Sequence, residues 1–306
     1  MGLYGGGGDS SFTNRLPDLA IGYIYCDNTA TGGGGYPGYV AIAVVDGSPG
    51  TPGASCTDWN TAASGGYNGI YSSILNSYAV PNASGIYAFR VNWEWAGCGN
   101  PLTPFPCNGN PNIPTATWAA ATCQLINTIR SFPSLAGIPI EIDAPATTAQ
   151  QAVWPGFGST PACSSGPINL TGADIYFQPA YDGPTSAQSW NAQLPYMSAV
   201  TAWGQARGIP LAFGEWCNEY TDIPFSGDVT TSQDLVSRFT QWMKQNNTVI
   251  QAYWDSNQAV PNDCTIANDP NRKAAYIAAY GSSHYTGTYF TSPPFHAFGG
   301  LPGFGY

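Results

Sequence analysis

The chain has 306 residues, of which only 8% are charged, and a net charge of −10. Its 10 Trp, 19 Tyr and 13 Phe exclude a disordered chain, which would lack aromatics. Only two lysines and six arginines against a net charge of −10 argue against a nucleic-acid partner, and no apolar run approaches the ~20 residues of a membrane span.

In chain order, Gly2 to Tyr4 reads as a short first strand before a glycine run. Leu19 to Tyr25 is a clearer one, and Tyr39 to Val45, nearly all β-branched or small, reads as a strand buried on both faces. Asp46 to Ser64 is polar and rich in Gly and Pro, the composition of a loop. Tyr67 to Tyr78 has helical spacing at Ile70, Ile74 and Leu75. The apolar run from Ile86 to Val91 predicts a buried strand with Arg90 inside it, leading to Trp93-Glu94-Trp95.

Gly97 to Pro114 reads as a loop, and Thr115 to Arg130 as a helix with Trp118, Leu125 and Ile129 on its apolar side. Strands are predicted at Ile138 to Asp143, Ala173 to Gln178, Pro210 to Phe213 and Thr248 to Trp254. Helices are predicted at Ser186 to Arg207, Ser232 to Gln245 and Asn271 to Tyr280. The Gly-, Pro- and aromatic-rich tail from Gly281 to Tyr306 has no periodicity. Strand-like runs followed by helices or long loops imply parallel βαβ units, and their number predicts a single (β/α)8 TIM barrel over residues 1–306.

The eight cysteines form no CxxC pair, and the two histidines both lie near the C-terminus, so no zinc site is expected. An even count in this composition reads as disulfides and an oxidising compartment. Loop proximity favours Cys98–Cys107 and Cys217–Cys264, with the other two pairings open. The chain is read as the mature form of a secreted protein. The glycine run at Gly5 to Gly8 lacks the Lys-Ser/Thr of a phosphate loop, and no GxSxG occurs. No cofactor is expected.

The chain has only four glutamates: Glu94, Glu141, Glu215 and Glu219. Two of them, Glu94 and Glu215, follow apolar runs and stand beside tryptophan. In (β/α)8 barrels the catalytic groups come from the C-terminal ends of strands, and by count these glutamates close strands four and seven. Glycoside hydrolysis needs two carboxyl groups flanking the scissile bond, about 5–5.5 Å apart when configuration is retained. Glu94 is the expected general acid, held protonated by an apolar wall such as Trp93 or Trp95, and Glu215 the ionised nucleophile. The competing reading of each glutamate is an ion pair or a cap.

Arg90 lies four residues before Glu94 and shares its face on an extended strand. A buried guanidinium needs a carboxylate partner, either Glu215 or a structural one, Asp143 or Asp174. Asn92 is a candidate for a sugar hydroxyl, and Tyr181 with Asp182 follows strand six, where a tyrosine hydroxyl orients the nucleophile. The alternative for that pair is a turn at Asp182-Gly183. Trp95, Trp216 and Trp254 are candidate stacking platforms or core residues, and Asp255 a candidate hydrogen-bonding group.

At these residues the chain resembles the clan of retaining (β/α)8 glycoside hydrolases with glutamates on strands four and seven, and most of all glycoside hydrolase family 26, the β-mannanase family. The resemblance is carried by Met1-Gly-Leu-Tyr, Phe89-Arg-Val-Asn-Trp-Glu-Trp, Ala173-Asp-Ile-Tyr-Phe-Gln-Pro-Ala-Tyr-Asp, Phe213-Gly-Glu-Trp and Tyr253-Trp-Asp. It implies Glu94 as acid/base, Glu215 as nucleophile and Tyr181 as the strand-six tyrosine near the nucleophile. The mannanases usually carry histidine before the acid/base, where this chain has Trp93. The resulting expectation is a secreted, monomeric, metal-independent retaining endo-β-glycanase. Its substrate would be a neutral polysaccharide, a β-mannan or β-glucan. Another linkage (xylan, galactan or arabinan) or a non-catalytic carbohydrate-binding barrel are the alternatives.

Overall fold

The computed structural model describes residues 2–4, 15–16, 22–24, 30–32, 39–42, 59–86, 88–92, 114–144, 162–220, 235–254, 264 and 269–280. The early strands are β1 (Gly2–Tyr4), β2 (Arg15–Leu16), β3 (Gly22–Ile24), β4 (Ala30–Gly32), β5 (Tyr39–Ile42) and β6 (Ala88–Val91). They are followed by β7 (Ile140–Asp143), β8 (Ala162–Cys163), β9 (Gly166–Pro167), β10 (Leu170–Gly172), β11 (Ile175–Phe177), β12 (Leu211–Asn218) and β13 (Thr248–Trp254). The helices are α1 (Trp59–Ala63), α2 (Asn68–Ile74), α3 (Thr115–Ser131), α4 (Pro179–Asp182), α5 (Ser186–Gln205), α6 (Leu235–Gln245) and α7 (Pro270–Tyr280). Mainly parallel strands alternating with helices are the (β/α)8 class predicted from the sequence. Among the described residues no helix is long and apolar enough to cross a membrane.

The chain divides into two compact units, Asp18–Thr171 and the pair of segments Met1–Pro17 and Gly172–Tyr306. In the central unit β3, β5, β6 and β7 pair in parallel, with Phe89 opposite Ile140 and Arg90 opposite Glu141. β4 returns antiparallel along β3. Every residue of β6 and β7 is buried, as expected of strands covered on both faces. Trp118, Leu125 and Ile129 of α3 are buried as the periodicity requires. The Cys123–Cys163 disulfide ties that helix to the β8–β9 hairpin.

The stretch expected to be a loop from Asp46 to Ser64 contains α1, which buries Trp59 and Ala62. Five helical residues offer too few periods to stand out in a Gly- and Pro-rich segment. The helix predicted over Tyr67–Tyr78 exists, but after Ile74 its bonding changes to a π turn (Leu75–Ala79) and then a 3-10 turn (Val80–Gly85) that accommodates Pro81.

In the unit built from both chain ends, β1 pairs in parallel with β2 and β13, and β12 with β11 and β13. α5 starts at the predicted place, with a capping box between Thr185 and Gln188. α6 buries Leu235, Val236, Phe239 and Met243 on one side. Phe239 meets Phe177, Phe213 and Trp216 edge to face at 5.1 to 5.4 Å, and these rings form the core of the unit.

Two predicted strands differ from those observed. The run Ala173 to Gln178 is preceded by a separate strand, β10, whose Gly172 lies so close to Ala212 that an added Cβ would fall 1.3 Å from its carbonyl oxygen. Only glycine permits that approach. β12 runs to Asn218, well beyond Phe213, and its register against β13 shifts between Phe213 and Trp216. Glu215 therefore sits inside an irregularity of the strand, not at its end.

Candidate active site

Burial alternates along β11. Ile175 and Phe177 are buried, whereas Asp174, Tyr176 and Gln178 are half-exposed. Phe177 lies against Trp190 and Phe239, so the buried face meets helices α5 and α6. The other face is polar. There Tyr176 donates its hydroxyl to Oε2 of Glu215, which is itself only 6% exposed. Two residues further on, the Gln178 amide donates to Oε1 of Glu219 at 2.7 Å. The backbone N–H of Glu219 bonds the Phe177 carbonyl, so the β11–β12 ladder carries on to this second pair.

Glu215, Cys217 and Glu219 alternate with Trp216 and Asn218 along one strand, as its period of two dictates. Cys217 stands opposite Tyr176 and is bonded to Cys264, the pairing expected from loop proximity. Ligand atoms of Cys217, Glu219 and Cys264 lie within 4.8 Å of one another, but the two sulfurs are bonded to each other and hold no metal. All four cysteines among the described residues are in disulfides. Cys98 and Cys107 lie outside the described residues, as do Trp93, Glu94, Trp95 and Asp255. Trp254 ends β13, and its side chain is likewise outside the description.

For Trp216 and Asp182 the contacts favour the structural alternative, and a second tyrosine stands on Glu215. The tyrosine whose hydroxyl reaches Glu215 is Tyr176, and Tyr181 is 77% exposed on α4. Trp216 is fully buried, with its indole N–H on Gln251 and its ring against Phe239 and Tyr253. No sugar can stack on a face already covered by aromatic side chains. Asp182 is a clamp: its carboxylate accepts from the Gln178 N–H (3.0 Å), Ser189 Oγ (2.6 Å) and Gln193 Nε2 (3.0 Å). The turn at Asp182-Gly183 is real, with Gly183 at φ 108°.

In the central unit Arg90 is fully buried. Its Nη2 bonds both carboxylate oxygens of Asp143 at 3.1 Å, and its Nε lies 3.4 Å from Glu141. Glu141 and Asp143 share a face of β7, and Arg90 is the cross-strand neighbour of Glu141, so the guanidinium bridges two acids one strand step apart. Asn92, also buried, takes the left-handed conformation (φ 53°) that asparagine tolerates and ends β6. Its amide donates to Thr122 Oγ1 at 2.8 Å, and Thr122 in turn donates to the Trp118 carbonyl.

The strand-and-helix order and a tyrosine-bonded glutamate within a parallel strand define the class as a (β/α)8 protein with a carboxylate-centred candidate site. No family model matches the chain. No curated protein matches it either. Among solved structures it is similar to an endoglucanase of Pseudomonas stutzeri, at 13% identity over 80% of this chain and 69% of that one, with a TM-score of 0.48. It is similar to the same degree to an endo-β-1,4-mannanase of Cellulomonas fimi (12% identity, 80% of this chain, TM-score 0.48), of which it spans only 54%. An endocellulase of Pyrococcus horikoshii follows at 11% identity, 80% and 68% coverage and a TM-score of 0.46. None of the comparisons shows a family for the chain. At this similarity the site residues carry the functional reading.

Proposed function

We propose that the chain is a secreted retaining endo-β-glycanase acting on a neutral β-linked polysaccharide, a β-mannan or β-glucan. The observation that supports it is the hydroxyl of Tyr176 on the carboxylate of Glu215, on the polar face of β11 and β12. A hydroxyl donor fixes the plane of a carboxylate, the orientation that a nucleophile needs. In the proposed double displacement, Glu215 attacks the anomeric carbon while Glu94 protonates the departing glycosidic oxygen. A glycosyl ester on Glu215 results. Glu94, now a carboxylate, takes a proton from water as that water attacks the anomeric carbon, and the Glu215 carboxylate leaves. Configuration is retained by two inversions. The protein works as a monomer and a single (β/α)8 domain without a metal or cofactor.

The test is a panel of soluble β-glucans, β-mannans, xylan, galactan and arabinan in mildly acidic buffer, assayed for new reducing ends. Wild-type protein should release them from one class, and E94Q and E215Q should not. Turnover that survives both substitutions would sink the assigned pair. Binding without turnover would favour a carbohydrate-binding barrel.

A further inference from the structure

We propose that Tyr181, with the Gln178–Glu219 pair beside it, forms a glycan-binding subsite next to the bond-cleaving position, Tyr181 supplying the face on which a sugar ring stacks. The inference rests on the glycan-acting reading of the same strand ends. A single exposed tyrosine is ordinary on a protein surface. Tyr181 is distinguished by being the exposed large hydrophobic side chain among the described residues, and by the way its short helix is held.

α4 begins directly after Gln178, and the Gln178 carbonyl accepts from both the Tyr181 and Asp182 N–H groups, at 3.1 and 2.9 Å. The Asp182 carboxylate then returns bonds to the Gln178 N–H and to two side chains of α5. Tyr220, just past β12, donates its hydroxyl to the Gly183 carbonyl. Every side of this turn is thus fastened to a strand end or to α5, while the ring it carries is left in solvent. An aromatic ring presented on a fixed backbone loses little conformational entropy on binding, the condition for a stacking platform.

The polar half of the subsite is equally set. Gln178 lies two residues beyond Tyr176, about 6.6 Å along the strand. Its amide is held on Glu219, which is half-buried beside the Cys217–Cys264 disulfide. An amide and a carboxylate side by side offer donors and acceptors to adjacent hydroxyls of one sugar, the pairing that a neutral, polyhydroxylated ligand requires. Tyr176–Glu215 and Gln178–Glu219 form two successive steps along the same face. One step would hold the sugar that reacts and the next its neighbour, with Tyr181 beyond.

The experiment is affinity gel electrophoresis of the full chain in soluble mixed-linkage β-glucan and in galactomannan. Calorimetry with the matching hexasaccharide gives the affinity of each variant. Y181A should weaken affinity by about tenfold, Y181W should restore most of it, and E219Q should weaken it by about threefold. Melting temperatures of all three should stay at the wild-type value, since Tyr181 is exposed and Gln can keep the contact with Gln178. Wild-type affinity in Y181A, or no retardation of the wild type by either polymer, would overturn the subsite. Reducing-end release run alongside separates the two claims. Tyr181-dependent binding without turnover keeps the subsite and removes the hydrolase, whereas turnover with Tyr181-independent binding does the reverse.

Discussion

The β6–β7 strand pair of the central unit and the β11–β12 pair of the other unit both display two carboxylates on one face, yet they are treated in opposite ways. Glu141 and Asp143 are sealed inside with a guanidinium across both. The partners of Glu215 and Glu219 include a phenol and an amide, and Tyr176, Gln178 and Glu219 keep part of their surface in solvent. A buried cation cancels charge and leaves a substrate nothing to approach; it is a device of folding. A neutral donor orients a carboxylate without capping it, and half-exposure lets a ligand in. The second pair has the properties of a site, the first those of a strut.

The sharpest way to break that contrast is to remove a charge from each side. E215Q should lower kcat on the responding polysaccharide by at least about 10³-fold, the scale of losing a catalytic group, with the melting temperature unchanged because the amide is isosteric. A large fall in melting temperature would make Glu215 structural as well. R90A should do the reverse. It strands two buried carboxylates and should cost about 3–5 kcal/mol in urea unfolding, whatever happens to activity. A cost below about 1 kcal/mol would mean that the acids of β7 do not need their cation, and the distinction between the two strand pairs would fail.

How much of this was legible in the sequence follows the same division. Strands β6 and β7 and helix α3 were readable because burial imposes strong patterns: mostly apolar runs in the strands, and a stripe through Trp118, Leu125 and Ile129 in the helix. Cys217–Cys264 was readable because Cys217 belongs to one of two strands that the topology makes neighbours and Cys264 follows the other. Tyr176 was not, although Ile-Tyr-Phe-Gln alternates plainly. Alternation marks two faces, but it does not say which one meets the helices, and tyrosine is at home on either. Trp216 stayed open between platform and core for a related reason. A tryptophan beside a glutamate near a strand end looks the same whether its ring faces a ligand or Phe239. Asp182 was open between ligand and turn, and only its three donors decide for the turn.

A smaller effect is expected at Tyr176. Y176F removes the hydroxyl that steadies Glu215 and should reduce kcat by about 10- to 100-fold, more than it changes KM, because orientation matters most as the new bond forms. Loss of the bond should also cost about 1 kcal/mol of stability. An equal rise in KM with kcat intact would instead make Tyr176 a substrate-binding group.

The same deletion of one oxygen at Tyr71, in the central unit, should have the opposite sign. Tyr71 is fully buried, and its hydroxyl has no hydrogen-bond partner among the described residues. Burial, reinforced by the neighbouring Tyr67, pushes its phenol well above the ordinary range. An unsatisfied buried hydroxyl costs free energy, so Y71F should stabilise the protein by about 1 kcal/mol at neutral pH, read from urea melts. Alkali should widen the gap. Above pH ~10 the unfolded chain releases the phenol proton while the folded chain keeps it, so wild-type stability falls by up to ~1.4 kcal/mol per pH unit from this group alone. Y71F removes that contribution, and its advantage should grow from pH ~10 upward. An unchanged gap would mean that Tyr71 reaches water in the folded state. Destabilisation by Y71F would mean that its hydroxyl is bonded after all, and the two tyrosines would then differ in degree only.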